Sequence, residues 1–280
     1  IGRSLIHGSA VSSWKSVADG CYDWESGKYT GLEGSWVQAS SALVEYALDP
    51  RNFLNATNIF MFENLAFDGS VQDADGLESM TDGTFMENSS HDLSYNGRSY
   101  TYITGLLYAG QESGVSPYHL TSRILQEQGY DGHGSSISGT QSGYSGYYNY
   151  YNIGASPSGG YTAVQNGLRY ASKSDSSLLR PWNTRMKSII GGAIFIGKSY
   201  INKGQDTLYY EKFDMTGRGH QYMTNILAPR SESVKSAQGY SDSNKESISF
   251  VFKIPVYENM PENACAIPTG DGSPNNRLKN

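Results

Sequence analysis

The chain has 280 residues, 38% hydrophobic and only 17% charged, with a formal net charge of −6. That length carries a sizeable core, either as one large domain or as a catalytic domain with appendages. The acidic balance, without any basic run, argues against nucleic acid or an anionic membrane surface as the main partner.

Residues 1–36 hold three of the four Trp (Trp14, Trp24, Trp36) among Ser and Gly, and periodicity there is weak. The stretch S-S-A-L-V-E-Y-A-L-D-P-R-N-F (40–53) predicts a short helix that stops before Pro50, because the residue preceding a proline avoids the helical region. The apolar run N-I-F-M-F-E-N-L-A-F (58–67) fits helix or strand, and residues 76–86 predict a further helix. Residues 100–112 are helical in pattern and lead into S-P-Y-H-L-T-S-R-I-L-Q-E-Q-G (116–129). Here Ser116 and Pro117 match an N-cap and first helical position, and Gly129 a stop. At residue 129 the composition changes. Residues 129–156 are rich in Gly, Ser and Tyr, which predicts a loop with one short hairpin. Helical periodicity returns over 161–171 and 184–201, where Gly191, Gly192 and Gly197 would each weaken a helix by about 1 kcal/mol relative to Ala unless close contact compensates. Finally, S-I-S-F-V-F-K-I-P-V-Y (247–257) alternates at period 2, which marks an edge strand protected by Pro255. The longest apolar run, residues 189–197, falls well short of the roughly 20 residues that span a bilayer. Membrane insertion is therefore not expected. The sequence opens without Met or a leader-like segment, so a mature or excised fragment is expected.

Most reactive chemistries find no support. The five His show no HExxH and no paired Cys/His spacing, so no metal or cofactor is expected. Cys21 and Cys265 stand near opposite ends, either bridged or as two buried thiols, and neither sits at a nucleophile turn. No G-x-S-x-G elbow occurs, and the loop glycines lack the Lys of a phosphate cradle. Glu127 is different. It falls at i+7 from Leu120 and i+3 from Ile124, within roughly 20° of Leu120 around the helix, on the apolar stripe. Two accounts fit: a weak i,i+4 pair with Arg123, or a carboxyl whose ionised form is disfavoured and which serves as a general acid. The 22 Tyr also point two ways, to stacking against a polar ligand or to filling core and interfaces.

Four segments in order, L-x-x-R-I-L-Q-E-x-G (120–129), Y-N-Y-Y-N-I-G-A (148–155), I-I-G-G-A-x-F-I-G-x-S-Y-I (189–201) and G-Q-D-T-L-Y (204–209), resemble bacterial cell-wall β-N-acetylglucosaminidases. These are the autolysin-type enzymes of glycoside hydrolase family 73. The resemblance is dense from about 97 to 215 and extends upstream through D-P-R-N-F-L-N (49–55) and G-T-F-M (83–86). It implies an α+β, mainly α-helical fold: a lysozyme-like, two-lobed domain with a small β-hairpin lobe beside the active-site groove. It further implies a secreted, wall-associated endo-β-N-acetylglucosaminidase that cleaves the GlcNAc-β-1,4-MurNAc bond of peptidoglycan. The family's catalytic glutamate matches Glu127. Its tyrosine near the end of the domain matches Tyr209, with Tyr210 the adjacent alternative. Tyr148, Asn149 and Ile153 to Ala155 match the stretch that shapes the groove floor, and Tyr148, Asn149, Tyr150 and Tyr151 are expected to bind substrate, with interior packing as the tyrosines' other reading. Asp131 is the only carboxylate between Glu127 and Asp175, and too near in sequence to face Glu127 across a sugar, so it is expected to line the site. A two-carboxylate mechanism needs gaps of about 5–5.5 or 6.5–9.5 Å, and the absence of a clear second carboxylate favours attack by the substrate's own N-acetyl group.

The expected organisation is a helical subdomain over 1–95, a glucosaminidase core over 96–230 and an extension with a short strand over 231–280. Glycan strands of peptidoglycan are the expected partner, of a monomer. A lytic transglycosylase on the same fold and a non-catalytic glycan-binding module are the alternatives.

Overall fold

A computed structural model describes residues 3–270 other than 216 and 218. The described chain is mainly helical with two small antiparallel sheets. In chain order it forms β1 (Leu5–His7), β2 (Tyr22–Asp23), β3 (Lys28–Tyr29), β4 (Gly31–Glu33) and β5 (Trp36–Gln38). Next come α1 (Ser41–Leu48), α2 (Ala74–Thr81), α3 (Tyr102–Ser113), α4 (Pro117–Gln128) and α5 (Ser135–Ser138). The last helices are α6 (Ala163–Ser172), α7 (Arg185–Ser199), α8 (Leu208–Phe213), α9 (Ala228–Gln238) and α10 (Asp242–Ser247). Among the described residues no helix is long and apolar enough to cross a membrane.

The chain groups into two compact units rather than three consecutive segments. One comprises residues up to Glu63, Thr207–Val234 and the chain from Phe252; the other comprises Asn64–Asp206 and Lys235–Val251. Among the described residues all the strands lie in the first unit, within 5–38, where a helical subdomain was expected. β5 is central, paired with β1 (Ile6 opposite Val37) and, across an irregularity, with β4. These strands are two or three residues long, too short to show period-2 alternation. α1 stops at Leu48, as Pro50 dictates, and a 3-10 turn over Pro50–Phe53 follows. The D-P-R-N-F segment then clasps the returning C-terminal chain. The Arg51 guanidinium donates to the carbonyls of Pro261 (2.9 Å), Glu262 (3.3 Å) and Asn263 (3.0 Å), and the buried Asp49 carboxylate accepts from Cys265 N–H (2.9 Å). Arg51 holds the Asp49 carboxyl down to about 2. Cys21 and Cys265 are free thiols. In the same unit Lys212 is fully buried, its ammonium donating to the carbonyls of Arg3, Met223 and Thr224.

The alternation at 247–257 does not form a strand. It runs extended with a single bridge, Glu63–Phe252, supported by Lys253 N–H on Phe62 O (2.8 Å). Alternation alone does not make a strand where no neighbouring strand offers a ladder.

In the second unit α4 packs against α2 and α3, and α3 against α7. Ser116 caps α4 by accepting from His119 N–H (3.3 Å), Pro117 takes the first position, and Gly129 ends the helix at φ 73°. α4 is buried nearly all round, including Tyr118, His119, Leu120, Ile124, Leu125 and Gln128. The glycines of α7 are explained by close approach, to irregular chain as much as to helices. A Cβ on Gly192 would lie 2.3 Å from the Tyr151 ring, and one on Gly191 2.1 Å from Leu178 O. The segment 129–156 contains no strand among the described residues. Its regular element is the single turn α5, and the nearest ladder contact is the lone bridge Ser158–Tyr161. The expected hairpin is thus absent there, because turn after turn of Gly and Ser leaves no paired run.

Two outcomes follow from this packing. Gly192→Ala is expected to cost about 1–3 kcal/mol by overpacking against Tyr151, read as a lower urea midpoint at constant slope. His119 is buried on α4, and burial, with Arg123 nearby, depresses its imidazole to about 3. The folded state therefore holds it neutral while the unfolded chain takes up a proton below the ordinary histidine value, so stability falls as pH drops below about 6.5. By pH 4.5 the loss from this group is about 2–3 kcal/mol, with His91 shifted the same way. Melting temperatures between pH 7 and 4.5 should show the decline, and His119→Gln should flatten it.

Candidate active site

The open facet of α4 holds Arg123, Gln126 and Glu127, at i, i+3 and i+4, all part-exposed on a helix otherwise buried. Glu127 is therefore not lodged on an apolar stripe. The stripe widens to nearly the whole helix, and Glu127 stands where it opens, its side chain 30% exposed. Arg123 lies 3.6 Å from Glu127 Oε1, an ion pair at the loose end of the range and worth little at this exposure.

A cleft of about 420 Å³ opens over this facet, lined by Arg123, Gln126, Glu127, Tyr130, Lys235 and Gln238 among others. Its far wall is the stretch 235–239. Gln126 Nε2 donates to Lys235 O (2.8 Å), Tyr130 Oη donates to Gln238 O (3.3 Å), and a Cβ on Gly239 would fall 1.9 Å from Ser122 Oγ. Glu127 is the one carboxylate among the described lining residues. Asp131 is exposed and does not line the cleft.

The end of α4 is joined to the segment 148–153 through amides. Gln128 Nε2 donates to the carbonyls of Tyr150 (2.8 Å) and Asn149 (3.4 Å), and Gln128 Oε1 accepts from Ser136 Oγ (3.1 Å). From the other side Asn152 Nδ2 donates to Glu127 Oε2 (3.0 Å) and to the Glu127 carbonyl (3.3 Å). Asn152 stands at φ 48°, a left-handed conformation that asparagine tolerates better than most residues. Sequence reasoning passed over Asn152. The signal available was an Asn between aromatic and Ile-Gly residues in a loop, where a positive φ is common for Asn.

Of the expected floor residues, Asn149, Tyr150 and Tyr151 are interior: they are 0%, 0% and 3% exposed. Their packing reading holds, and contact with a ligand is corrected. The Asn149 amide accepts from Ile153 N–H (3.0 Å) and donates to the carbonyls of Ile153 and Gly167 (both 2.9 Å). Tyr150 Oη meets Tyr102 Oη (2.6 Å), which meets His91 Nδ1 (2.8 Å). Burial pushes the Tyr102 hydroxyl up to about 12 and the Tyr150 hydroxyl well above its ordinary value. Tyr148 remains part-exposed, with the Arg185 guanidinium 4.6 Å from its ring centre.

Tyr209 and Tyr210 belong to the other unit, on α8. Tyr209 is fully buried against Phe62 and Phe213, its hydroxyl donating to Leu48 O (2.6 Å) and sharing a hydrogen bond with Tyr257 Oη. Burial first, then Tyr257, raises that hydroxyl far above the ordinary tyrosine value. An exposed hydroxyl to steady a charged intermediate is therefore not what Tyr209 offers, while Tyr210 beside it is part-exposed.

No family model matches the chain. A bifunctional autolysin of Staphylococcus epidermidis is 27% identical over 230 residues, covering 80% of this chain and 16% of that protein. One from Staphylococcus aureus is 36% identical over 96 residues, covering 34% of this chain and 7% of that protein. The chain thus spans a small part of the curated relatives it matches. Among solved structures, S. aureus glucosaminidase B shares the fold with a TM-score of 0.58 at 24% identity, over 87% of this chain and 86% of that one. The Major Bifunctional Autolysin shares it with a TM-score of 0.56 at 24% identity, over 81% of this chain and 86% of that one.

Proposed function

We propose that this relative of the autolysin glucosaminidases hydrolyses the GlcNAc-β-1,4-MurNAc bond of peptidoglycan, with Glu127 as general acid and then base. The observation that carries this reading is the placement of Glu127: the one carboxylate among the described residues lining the cleft, on the open facet of a buried helix. The similarity to autolysins and a glucosaminidase supports the reaction class, and the glycan of a bacterial cell wall, outside the membrane, is the substrate it implies.

Retaining and inverting enzymes alike ordinarily use two carboxylates, and the described residues lining the cleft supply one. The substrate's N-acetyl carbonyl oxygen is the nucleophile that fits. It attacks the anomeric carbon while Glu127 gives its proton to the glycosidic oxygen, releasing the MurNAc-bearing strand as an alcohol. The resulting oxazolinium is opened by water, which surrenders a proton to the Glu127 carboxylate and restores the acid. Rigidity of α4 serves this exchange, because a carboxyl that both gives and takes a proton must stay within hydrogen-bond reach of two successive oxygens.

The test is the chemistry of the ends. Mass spectrometry of muropeptides from purified walls should give reducing GlcNAc ends with the wild-type protein. Anhydro-MurNAc ends would make it a lytic transglycosylase, reducing MurNAc ends a muramidase, and no products a binding module. Glu127→Gln is expected to lower turnover by about a hundred- to ten-thousandfold, while Asp131→Asn should leave it near wild type. An equal loss in both variants would sink the single-carboxylate mechanism.

A further inference from the structure

We infer that Asn152 is a positioning residue for Glu127: it holds Oε2 as a hydrogen-bond acceptor, so that the proton Glu127 delivers is carried on Oε1. The inference rests on Glu127 being the acid. Its basis is the paired contact of one amide nitrogen, Asn152 Nδ2, with Glu127 Oε2 at 3.0 Å and with the Glu127 backbone carbonyl at 3.3 Å.

The carbonyl decides which way round the amide stands. A backbone carbonyl only accepts, so it must face the NH₂ group and not Oδ1. That orientation is fixed whatever the protonation of the carboxyl. The NH₂ group only donates, so the oxygen it meets cannot carry a proton toward it without losing the bond. Oε2 is therefore the acceptor in both forms of Glu127, and the acidic proton belongs on Oε1. That oxygen faces Arg123 across 3.6 Å, beyond hydrogen-bond distance, on a side chain that is itself 32% exposed and able to swing aside. Within the same cleft, Gln126 Nε2 is engaged by Ser122 Oγ and Lys235 O, and Tyr130 Oη by Gln238 O.

Asn152 is also mounted on a rigid base. Its neighbour Tyr151 is locked against Gly192, and Asn149 is stitched by three side-chain hydrogen bonds to Ile153 and Gly167. Its carbonyl accepts from Ala155 N–H (3.0 Å), closing the turn that holds φ at 48°. A left-handed residue with a side chain costs about 1 kcal/mol that glycine would avoid. An asparagine at this position accepts that strain and directs its amide onto the carboxyl.

Two variants test this on purified walls, beside the wild type and Glu127→Gln. Asn152→Gly relieves the backbone and removes only the amide. Its kcat should fall about ten- to a hundredfold with KM within about twofold, while its melting temperature holds or rises. Asn152→Asp places a second carboxylate beside Glu127, which disfavours ionisation of the acid, so the alkaline limb of the pH profile of kcat/KM should move up by about one unit. Wild-type kcat in Asn152→Gly together with an unmoved limb in Asn152→Asp would overturn the inference while Glu127→Gln stays inactive. An active Glu127→Gln would overturn the acid assignment itself, and this inference with it.

Discussion

Two side-chain amides, acting in opposite directions, tie the last turn of α4 to the segment 148–153. Gln128 reaches from the helix to the carbonyls of Asn149 and Tyr150, and Asn152 reaches back from the loop to the carbonyl and carboxylate of Glu127. Helix C-termini leave carbonyls without intrahelical partners, and here one of those carbonyls is met by the same amide that meets the candidate acid. Ending the helix and orienting its carboxyl are thus one interaction. The burial behind it makes the arrangement stiff. Gln128 is itself buried, and Tyr150 N–H donates to Ser188 Oγ on α7 (3.0 Å). This end of a loop rich in Gly, Ser and Tyr acquires the order of a core because Tyr150 and Tyr151 turn inward and carry the polar backbone with them.

That inward turn explains which site features were legible in the sequence. α4 could be read nearly to the residue, because Ser116-Pro117 and Gly129 are local signals whose chemistry needs no tertiary partner. Glu127 stood out in the sequence as the candidate acid, but for a reason the structure revises: the carboxyl stands on the open facet of a helix buried on its other sides, not among apolar neighbours. Asn152 was not legible, since a contact 25 residues away in the chain leaves no periodic trace. Nor could composition tell a stacking tyrosine from a packing one. Tyr150 and Tyr151 are packing residues because Ser188 and Gly192 of α7 receive them.

Elsewhere the failures have similar causes. The strands within 5–38 are too short for alternation to register, and the alternation at 247–257 lacks a partner strand. The D-P-R-N-F segment had no role assignable from sequence beyond ending α1. In its own unit it turns out to be a polar clasp, Asp49, Arg51 and Asn52 together receiving the chain at 261–265. Because Asp49 is buried and paired with Arg51, its stabilising effect is present above the ordinary aspartate range and fades as pH falls toward about 2. The clasp and the α4 tether share a principle: a side chain that bonds backbone groups on a distant segment fixes that segment's path more firmly than side-chain pairing alone.

The central claim is that the Glu127 carboxyl, in the lining of its cleft, does the proton transfer. Chemical rescue tests it most directly. With peptidoglycan as substrate, Glu127→Ala should be nearly inactive, and added formate, small enough to enter the space left by the side chain, should restore turnover with the same product ends as the wild type. Undiminished turnover of Glu127→Ala without formate would contradict the account.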